Sequence, residues 1–236
     1  MTPILVTGGT GTLGRAVVAE LRSSGLAVRI LSRKPGRDHV VGDLTRPVSL
    51  PEAATVVHLA TTLRGRKDVA TTRHLLEALP GVRHLIYISI VGIDEIPIGY
   101  YRGKRAAEAL VSTVPHTILR ATQFHDLVRG ILAGASKLPV MPIPALRVQP
   151  VDVRDVAARL AELVAASPQG RVEDFGGPEV HTFEALAQQY LRDAGRSRKL
   201  LRVSLPGRAF RAYRDGANLA PALGLRTFAD YLAARP

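Results

Sequence analysis

The chain has 236 residues, 46% of them hydrophobic, which is enough for a sizeable core in one domain or in one domain with a small appendage. It contains no cysteine, which excludes disulfides, thiolate metal sites and a cysteine nucleophile. The net charge of +12 calls for an anionic counterpart, but aromatic residues make up only 5% and tryptophan is absent, so neither stacking groups nor a recognition motif for specific nucleic acid accompanies the charge.

The basic excess is spread along the chain and is densest over Arg192–Arg214, with seven Arg and one Lys against one Asp. Beyond a solvated surface, such charge suits a phosphate-bearing cofactor or an acidic or regulatory protein partner. No apolar run reaches the length of a membrane span, and the first residues lack a leader pattern. A soluble, cytoplasmic chain with no membrane partner is therefore expected.

In chain order, the apolar run Ile4–Thr7 has strand length and leads into Thr7-Gly8-Gly9-Thr10-Gly11-Thr12-Leu13-Gly14. A helix is expected over Thr12–Ser23, then strands over Val28–Ser32, His39–Gly42 and Val56–Ala60. Only about a dozen residues, with Pro47 and Pro51 among them, separate Asp43 from Val56, so a turn or a single helical turn, rather than a full crossover helix, is expected there. A helix over Asp68–Leu79, a strand over His84–Ser89, a helix over Tyr100–Ser112 and a strand over Thr117–Arg120 follow. After Arg120, Pro139, Pro142, Pro144 and Pro150 mark irregular chain. Helical periodicity returns at Val153–Ala166 and Thr182–Ala194, with short strands expected at Val148–Val151, Val172–Phe175 and Leu200–Val203 and short helices after Pro206. Strand–helix alternation with short links predicts an α/β fold, a doubly wound parallel sheet. Residues 1–122 are expected to form a dinucleotide-binding core, and 123–236 a smaller C-terminal, substrate-side subdomain interleaved with it.

Four glycines in eight positions need a physical reason, since each costs about 1 kcal/mol against alanine in a regular element. Behind a strand and before a helix, Gly9-x-Gly11-x-x-Gly14 permits a turn, close approach of backbone to a pyrophosphate, and close helix packing. The second strand ends at Ser32-Arg33-Lys34, with no acidic residue before Asp38 to hold ribose hydroxyls. Arg33, with Ser32 and Lys34, instead offers charge and hydrogen bonds to a 2′-phosphate, which favours NADP(H) over NAD(H).

Tyr100 and Lys104 lie four apart at a helix start and share a face. An ammonium beside a phenol lowers its pKa, so Tyr100 is a candidate proton donor, with Ser89 at the preceding strand end as a hydrogen-bonding partner for the same substrate oxygen. Tyr101 is assigned to packing or the pocket wall. His125, in Gln123-Phe124-His125-Asp126, is weighed as a second acid–base group against a packing role.

The chain resembles the NmrA-like, NAD(P)H-binding group of atypical short-chain dehydrogenases/reductases. The resemblance rests on Thr7-Gly8-x-x-Gly11-x-x-Gly14, Gly42-Asp43-Leu44, Val57-His58-Leu59-Ala60, Tyr87-Ile88-Ser89-Ile90-Val91-Gly92, Tyr100-Tyr101-Arg102-x-Lys104 and Ile118-Leu119-Arg120-Ala121-Thr122-Gln123-Phe124. It implies a Rossmann-like fold, oxidoreductase chemistry and a small-molecule substrate. It also implies Asp43 and Leu44 beside the adenine, His58, Leu59, Ala60 and Thr61 beside the ribose, and Ser89, Tyr100 and Lys104 as the catalytic trio, with Lys104 also holding cofactor hydroxyls. The chain departs from the group in its short third crossover and in His74, where relatives often carry asparagine. Three activities suit the resemblance: a reductase acting on a carbonyl, quinone, imine or activated alkene; a non-catalytic NADP(H) sensor; and an epimerase or isomerase that retains its nucleotide.

Overall fold

The structure is a computed structural model that describes residues 2–61 and 65–234. The chain runs β1 (Ile4–Thr7), α1 (Thr12–Ser23), β2 (Val28–Ser32), β3 (His39–Val41), β4 (Thr55–His58), α2 (Gly65–Ala78), β5 (His84–Ile90), α3 (Gly99–Val111) and β6 (His116–Ala121). It continues through α4 (His125–Ala135), β7 (Val140–Pro144), β8 (Arg147–Val148), α5 (Val153–Ala165), β9 (Gly170–Arg171), β10 (His181–Thr182), α6 (Phe183–Asp193), β11 (Lys199–Val203), α7 (Arg208–Asp215) and α8 (Phe228–Ala233). Seven strands form one parallel sheet in the order β3-β2-β1-β4-β5-β6-β9. Strand order reverses beside β1, between β1 and β4, and folds of this kind bind ligands beyond the carboxyl ends of the strands at that point.

Both faces of the sheet are covered, so its central strands are apolar on both sides. Ile4, Val6, Val57, Ile86, Ile88 and Leu119 pack under α1 and α5. Leu5, Val56, Leu85, Tyr87 and Ile118 pack under α2 and α3 on the other face. The pleat alternates side chains between faces, so Tyr87 and Ser89 on β5, and Arg120 on β6, point to the α3 side. Arg120 is buried there and bonds Glu108 of α3 through two contacts of 2.9 and 2.6 Å, and Asp94 at 2.6 Å. This pairing pins α3, and with it Lys104 one turn earlier, to the sheet.

Between β3 and β4 the chain forms a turn without a helix, as the short interval requires. Three differences from the expected pattern follow Arg120. Helix α4 forms where irregular chain is expected, and β7 forms across Pro142 and Pro144. In β7 the amides of odd-numbered residues face β11, as the bond from Ala145 N to Val203 O (3.0 Å) shows, so both prolines sit where no donor is needed. The strand expected at Val172–Phe175 is paired two residues earlier, at Gly170–Arg171. Phe175 rejoins β6 by bonding Arg120 O at 2.8 Å.

The second half of the chain builds a satellite core from Val128, Leu132, Met141, Ile143, Phe183, Leu186, Phe228 and Tyr231. It is framed by the two-stranded pairs β8–β10 and β7–β11. Among the described residues, no helix is long and apolar enough to cross a membrane.

Candidate functional site

At the end of β1 the glycines serve different ends. Gly8 has φ +69°, and a Cβ there would lie 2.7 Å from Ala60 N. A Cβ on Gly14 would strike the Gly8 carbonyl and lie 2.6 Å from Gly9 Cα, so the start of α1 rests directly on the turn. Gly11 is exposed, and its missing Cβ would meet only Gly8 O, at 3.3 Å. Helix α1 has Gly11 as N-cap, no side-chain cap and no acidic residue in its first turn. Its first amides are therefore open to an anion, and the surface at Gly11 leaves room for a pyrophosphate to approach the backbone. Thr10 and Thr12 are exposed beside this opening, whereas Leu13 is buried in the core and offers backbone alone.

At the neighbouring ends of β2 and β3, Arg33 lines a depression of about 560 Å³ together with Gly42, Asp43, Arg46 and Ser49. Asp43 accepts from the Thr45 amide (3.0 Å) and hydroxyl (2.9 Å). Those bonds, and then the charges of Arg33 and Arg46, hold its carboxyl below the usual carboxylate range. Ser32 turns its hydroxyl to the Lys34 amide at 3.2 Å, and Lys34 is exposed beside the depression without lining it. Leu44 is buried in the core. Arg46 is a basic residue the sequence reading missed. Its spacing of three from Asp43 is the only signal that could have found it.

At β4 the side chain of His58 is turned inward, 1% exposed, and burial together with the charge of Lys104 pushes it down to about 3. It is neutral. Thr72 donates to Asp68 O at 2.8 Å, so His58 Nε2–H donates to Thr72 Oγ1 (3.1 Å) and Thr7 donates to His58 Nδ1 (2.7 Å). Thr7 also accepts from Ala60 N at 3.2 Å. This chain of bonds fastens β1, β4 and α2 together. It leaves His58, the buried Leu59 and Thr7 only backbone to present to a ribose beside them.

The carboxyl ends of β4 and β5 and the start of α3 bring Thr61, Ser89, Tyr100 and Lys104 to one side of the sheet. Lys104 is 3% exposed, and its ammonium donates to Tyr87 OH (2.9 Å) and Ile88 O (3.0 Å) while lying 4.4 Å from the centre of the Tyr87 ring. Burial pushes it down to about 8, against the pull of Asp68 and Glu108. An ammonium has three donors, so one N–H remains for a ligand. Tyr100 bonds Thr61 Oγ1 at 3.1 Å, and Thr61 donates to Asp68 at 2.6 Å, which makes Tyr100 the donor in its pair. Burial, reinforced by Asp68, raises the Tyr100 phenol above its ordinary value despite the Thr61 bond. The expectation that Lys104 lowers it is therefore corrected: burial controls the phenol, and the ammonium bonds Tyr87 and Ile88.

Ser89 is 3% exposed, and its hydroxyl has no partner among the described residues; the same holds for Thr122, on the same face at the end of β6. A buried hydroxyl left unpaired costs about 1–3 kcal/mol. Two of them at the ends of adjacent strands mark where a ligand's polar groups would be satisfied. Asp68, Tyr87 and Thr122 are the further site residues that sequence reading missed.

Three other residues fall outside this cluster. Tyr101 is buried against Ile93 and Ile96 and bonds Tyr213 at 3.0 Å. His74 bonds the Leu44 carbonyl at 2.9 Å. His125 is fully enclosed, its ring 5.5 Å from that of Phe228 and 5.1 Å from that of Tyr231, and 3.7 Å from Asp152, which assigns it to packing.

Comparison with known proteins follows from this geometry. Residues 8–166 match the family model described as NAD(P)H-binding. The chain belongs to the NAD(P)H-binding family. Membership agrees with the resemblance to atypical, NmrA-like short-chain dehydrogenases/reductases. The chain is 32% identical to a (4-alkanoyl-5-oxo-2,5-dihydrofuran-3-yl)methyl phosphate reductase from Streptomyces griseus, with 82% of this chain and 74% of that one covered. In fold it is similar to an NADPH-dependent quinone oxidoreductase from Escherichia coli, with a TM-score of 0.75, 16% identity and 98% of each chain covered. It is also similar to a short-chain dehydrogenase/reductase superfamily protein from Agrobacterium tumefaciens with bound NAD, with a TM-score of 0.71, 22% identity, and 98% of this chain and 94% of that one covered. The solved structures similar to this chain in fold thus include both an NADPH-dependent protein and one with bound NAD.

Proposed function

We propose that this chain is an NADPH-dependent reductase of a small conjugated acceptor, with Ser89, Tyr100 and Lys104 as its working groups. The observation that carries the proposal is the buried, unpaired Ser89 hydroxyl on β5, one residue beyond the Ile88 carbonyl that Lys104 bonds. When bound, the dinucleotide supplies the hydride. The chain's own residues do the rest. Open amides in the first turn of α1 receive the pyrophosphate, which approaches over the bare Gly11 backbone, and Arg33 with Arg46 takes the 2′-phosphate in the depression between them. The free N–H of Lys104 holds ribose hydroxyls, and Ser89 donates a hydrogen bond to the acceptor oxygen. Tyr100, released from Thr61, gives that oxygen its proton. For a conjugated acceptor, hydride at the β-carbon and the proton on the carbonyl oxygen give an enol, which tautomerises through solvent to the saturated carbonyl, and Tyr100 regains its proton from solvent.

Of the acceptor classes open to such a site, a conjugated carbon–carbon double bond next to a carbonyl is preferred. The Streptomyces relative supports this choice, because its named substrate is an unsaturated oxo-ring bearing an alkanoyl group. The test follows NADPH oxidation across enones, unsaturated lactones, quinones, aldehydes and imines. Turnover of an enone or lactone that disappears in Tyr100→Phe supports the reading. An acceptor panel on which wild type and Tyr100→Phe are equally inert sinks it.

A second reading, a nucleotide-dependent regulator, draws on the Tyr100 phenol, which burial holds high and Thr61 occupies. It expects no turnover, and binding to a protein partner that changes between NADPH and NADP⁺.

A further inference from the structure

The densest basic stretch of the chain is left unused by the site described above. Its arginines have distinct fates. Arg196 and Arg198 reach back to Ser136, and Arg202 pairs with Glu184 at 2.6 Å. Arg214, at the end of α7, has among the described residues a 3.4 Å contact with Ser204 Oγ and no carboxylate partner. Arg147, at β8, lies beside Gly216 just past the same helix, and no carboxylate pairs with its guanidinium among the described residues.

Arg147 and Arg214 line one cleft, of about 220 Å³, between β7, β8, the start of α6, β11 and α7. Its wall is apolar: Ile143, Leu146 and Phe183 contribute to it. Arg202 and Glu184 also border it and cancel each other, so three arginines against one glutamate leave two positive charges. Two like charges at the rim of an apolar recess repel unless an anion lies between them. Guanidinium forks match carboxylate and phosphate oxygens, and an apolar wall rewards a hydrocarbon group attached to them.

We propose that this cleft binds a small amphiphilic anion, with its carboxylate or phosphate between Arg147 and Arg214 and its apolar group against Ile143, Leu146 and Phe183. The lining residues lie on the C-terminal half of the chain, and none of them belongs to the Ser89, Tyr100 and Lys104 cluster. It would hold such a ligand whether or not the protein turns over NADPH.

The test is calorimetry on the full-length, nucleotide-free protein with octyl phosphate, octanoate, inorganic phosphate and octanol. Octyl phosphate and octanoate should both bind, and inorganic phosphate and octanol should bind at least about tenfold more weakly, because each lacks half of the recognition. The comparison of the two octyl anions tells which head group is preferred. Arg147→Ala and Arg214→Ala should each weaken octyl phosphate by about tenfold or more. Arg208→Ala, which removes an equal charge from the exposed start of the same helix, should leave it within about twofold. Unchanged NADPH affinity in the three variants verifies their fold. The proposal is overturned if neither octyl anion binds, if inorganic phosphate binds as well as octyl phosphate, or if Arg208→Ala loses as much affinity as the other two.

Discussion

Replacing Lys104 by methionine should change how stability depends on pH, by an amount the burial of the ammonium sets. Folding moves this group from its ordinary 10.5 to about 8. Below pH 8 both states hold the proton, and the native state bears the full cost of a buried charge. Between about 8 and 10.5 the unfolded chain keeps a proton that the native chain has released, so stability rises with pH across that window. At about 1.4 kcal/mol per unit, the rise is about 3 kcal/mol. Lys104→Met has a side chain of similar reach and no charge to titrate. Its loss of the bonds to Tyr87 and Ile88 adds an offset that does not depend on this titration. Urea unfolding of both proteins at steps from pH 7 to 10.5 gives the difference in unfolding free energy, from which the titrations common to both cancel. That difference, wild type minus variant, should climb by about 3 kcal/mol. A flat difference would refute burial as the controlling influence on Lys104. A falling one would show that Asp68 and Glu108 outweigh burial. If the ammonium holds ribose hydroxyls as proposed, NADPH affinity of the wild type should also weaken above pH 8, and Lys104→Met should show no such break.

Tyr100→Phe should lower turnover of any accepted substrate by about 10²-fold or more and leave NADPH affinity within a few-fold, since the phenol serves the acceptor; steady-state kinetics with nucleotide titration check both. Gly11→Val should fold normally and lose dinucleotide binding, because its added atoms meet little but the Gly8 carbonyl and occupy the approach to the backbone; Gly14→Val should fail to fold stably, because its Cβ strikes that carbonyl. Thermal denaturation and calorimetry separate the two outcomes. Arg33→Ala and Arg46→Ala should each narrow the preference for NADPH over NADH by about tenfold, or about 1.4 kcal/mol, with NADH affinity nearly unchanged. Equal affinities for the two nucleotides in the wild type would remove the 2′-phosphate assignment.

The parts of the fold that local pattern controls are readable in the chain. Helix α1 and strands β1 and β2 occupy the expected residues, because a glycine turn and short apolar runs mark both their ends. Local pattern fails at β7, where the prolines read as breakers. They are tolerated because only one strand, β11, lies alongside, and it faces the other set of amides. The candidate site divides in the same way. The glycine turn and the Tyr100–Lys104 spacing are local and visible. Whom Lys104 bonds is not, because Tyr87 reaches it only through the pleat of β5 and the docking of α3. Asp68 reads as an ordinary acid in the first turn of a helix; its burial beside Thr61 depends on how α2 meets β4. His58 sits in a recognisable strand-end motif, yet the threonines that capture its ring are remote in sequence.

Helix α5 and Phe175 complete the core over α1, β1 and β5, contributing Val156, Ala157, Leu160 and Leu163 from far along the chain. During synthesis, β1 through β6 therefore emerge with that side of the nascent sheet covered by α1 alone, and its β5–β6 part bare until α5 arrives. Parallel pairing already demands distant contacts, which form late because loops must close first. A fragment ending at residue 122 would leave Ile86, Ile88 and Leu119 without the cover of α5. Such apolar strips drive self-association at modest concentration. The early half thus depends on the late half to close its core, and aggregation competes with folding in the interval before α5 emerges.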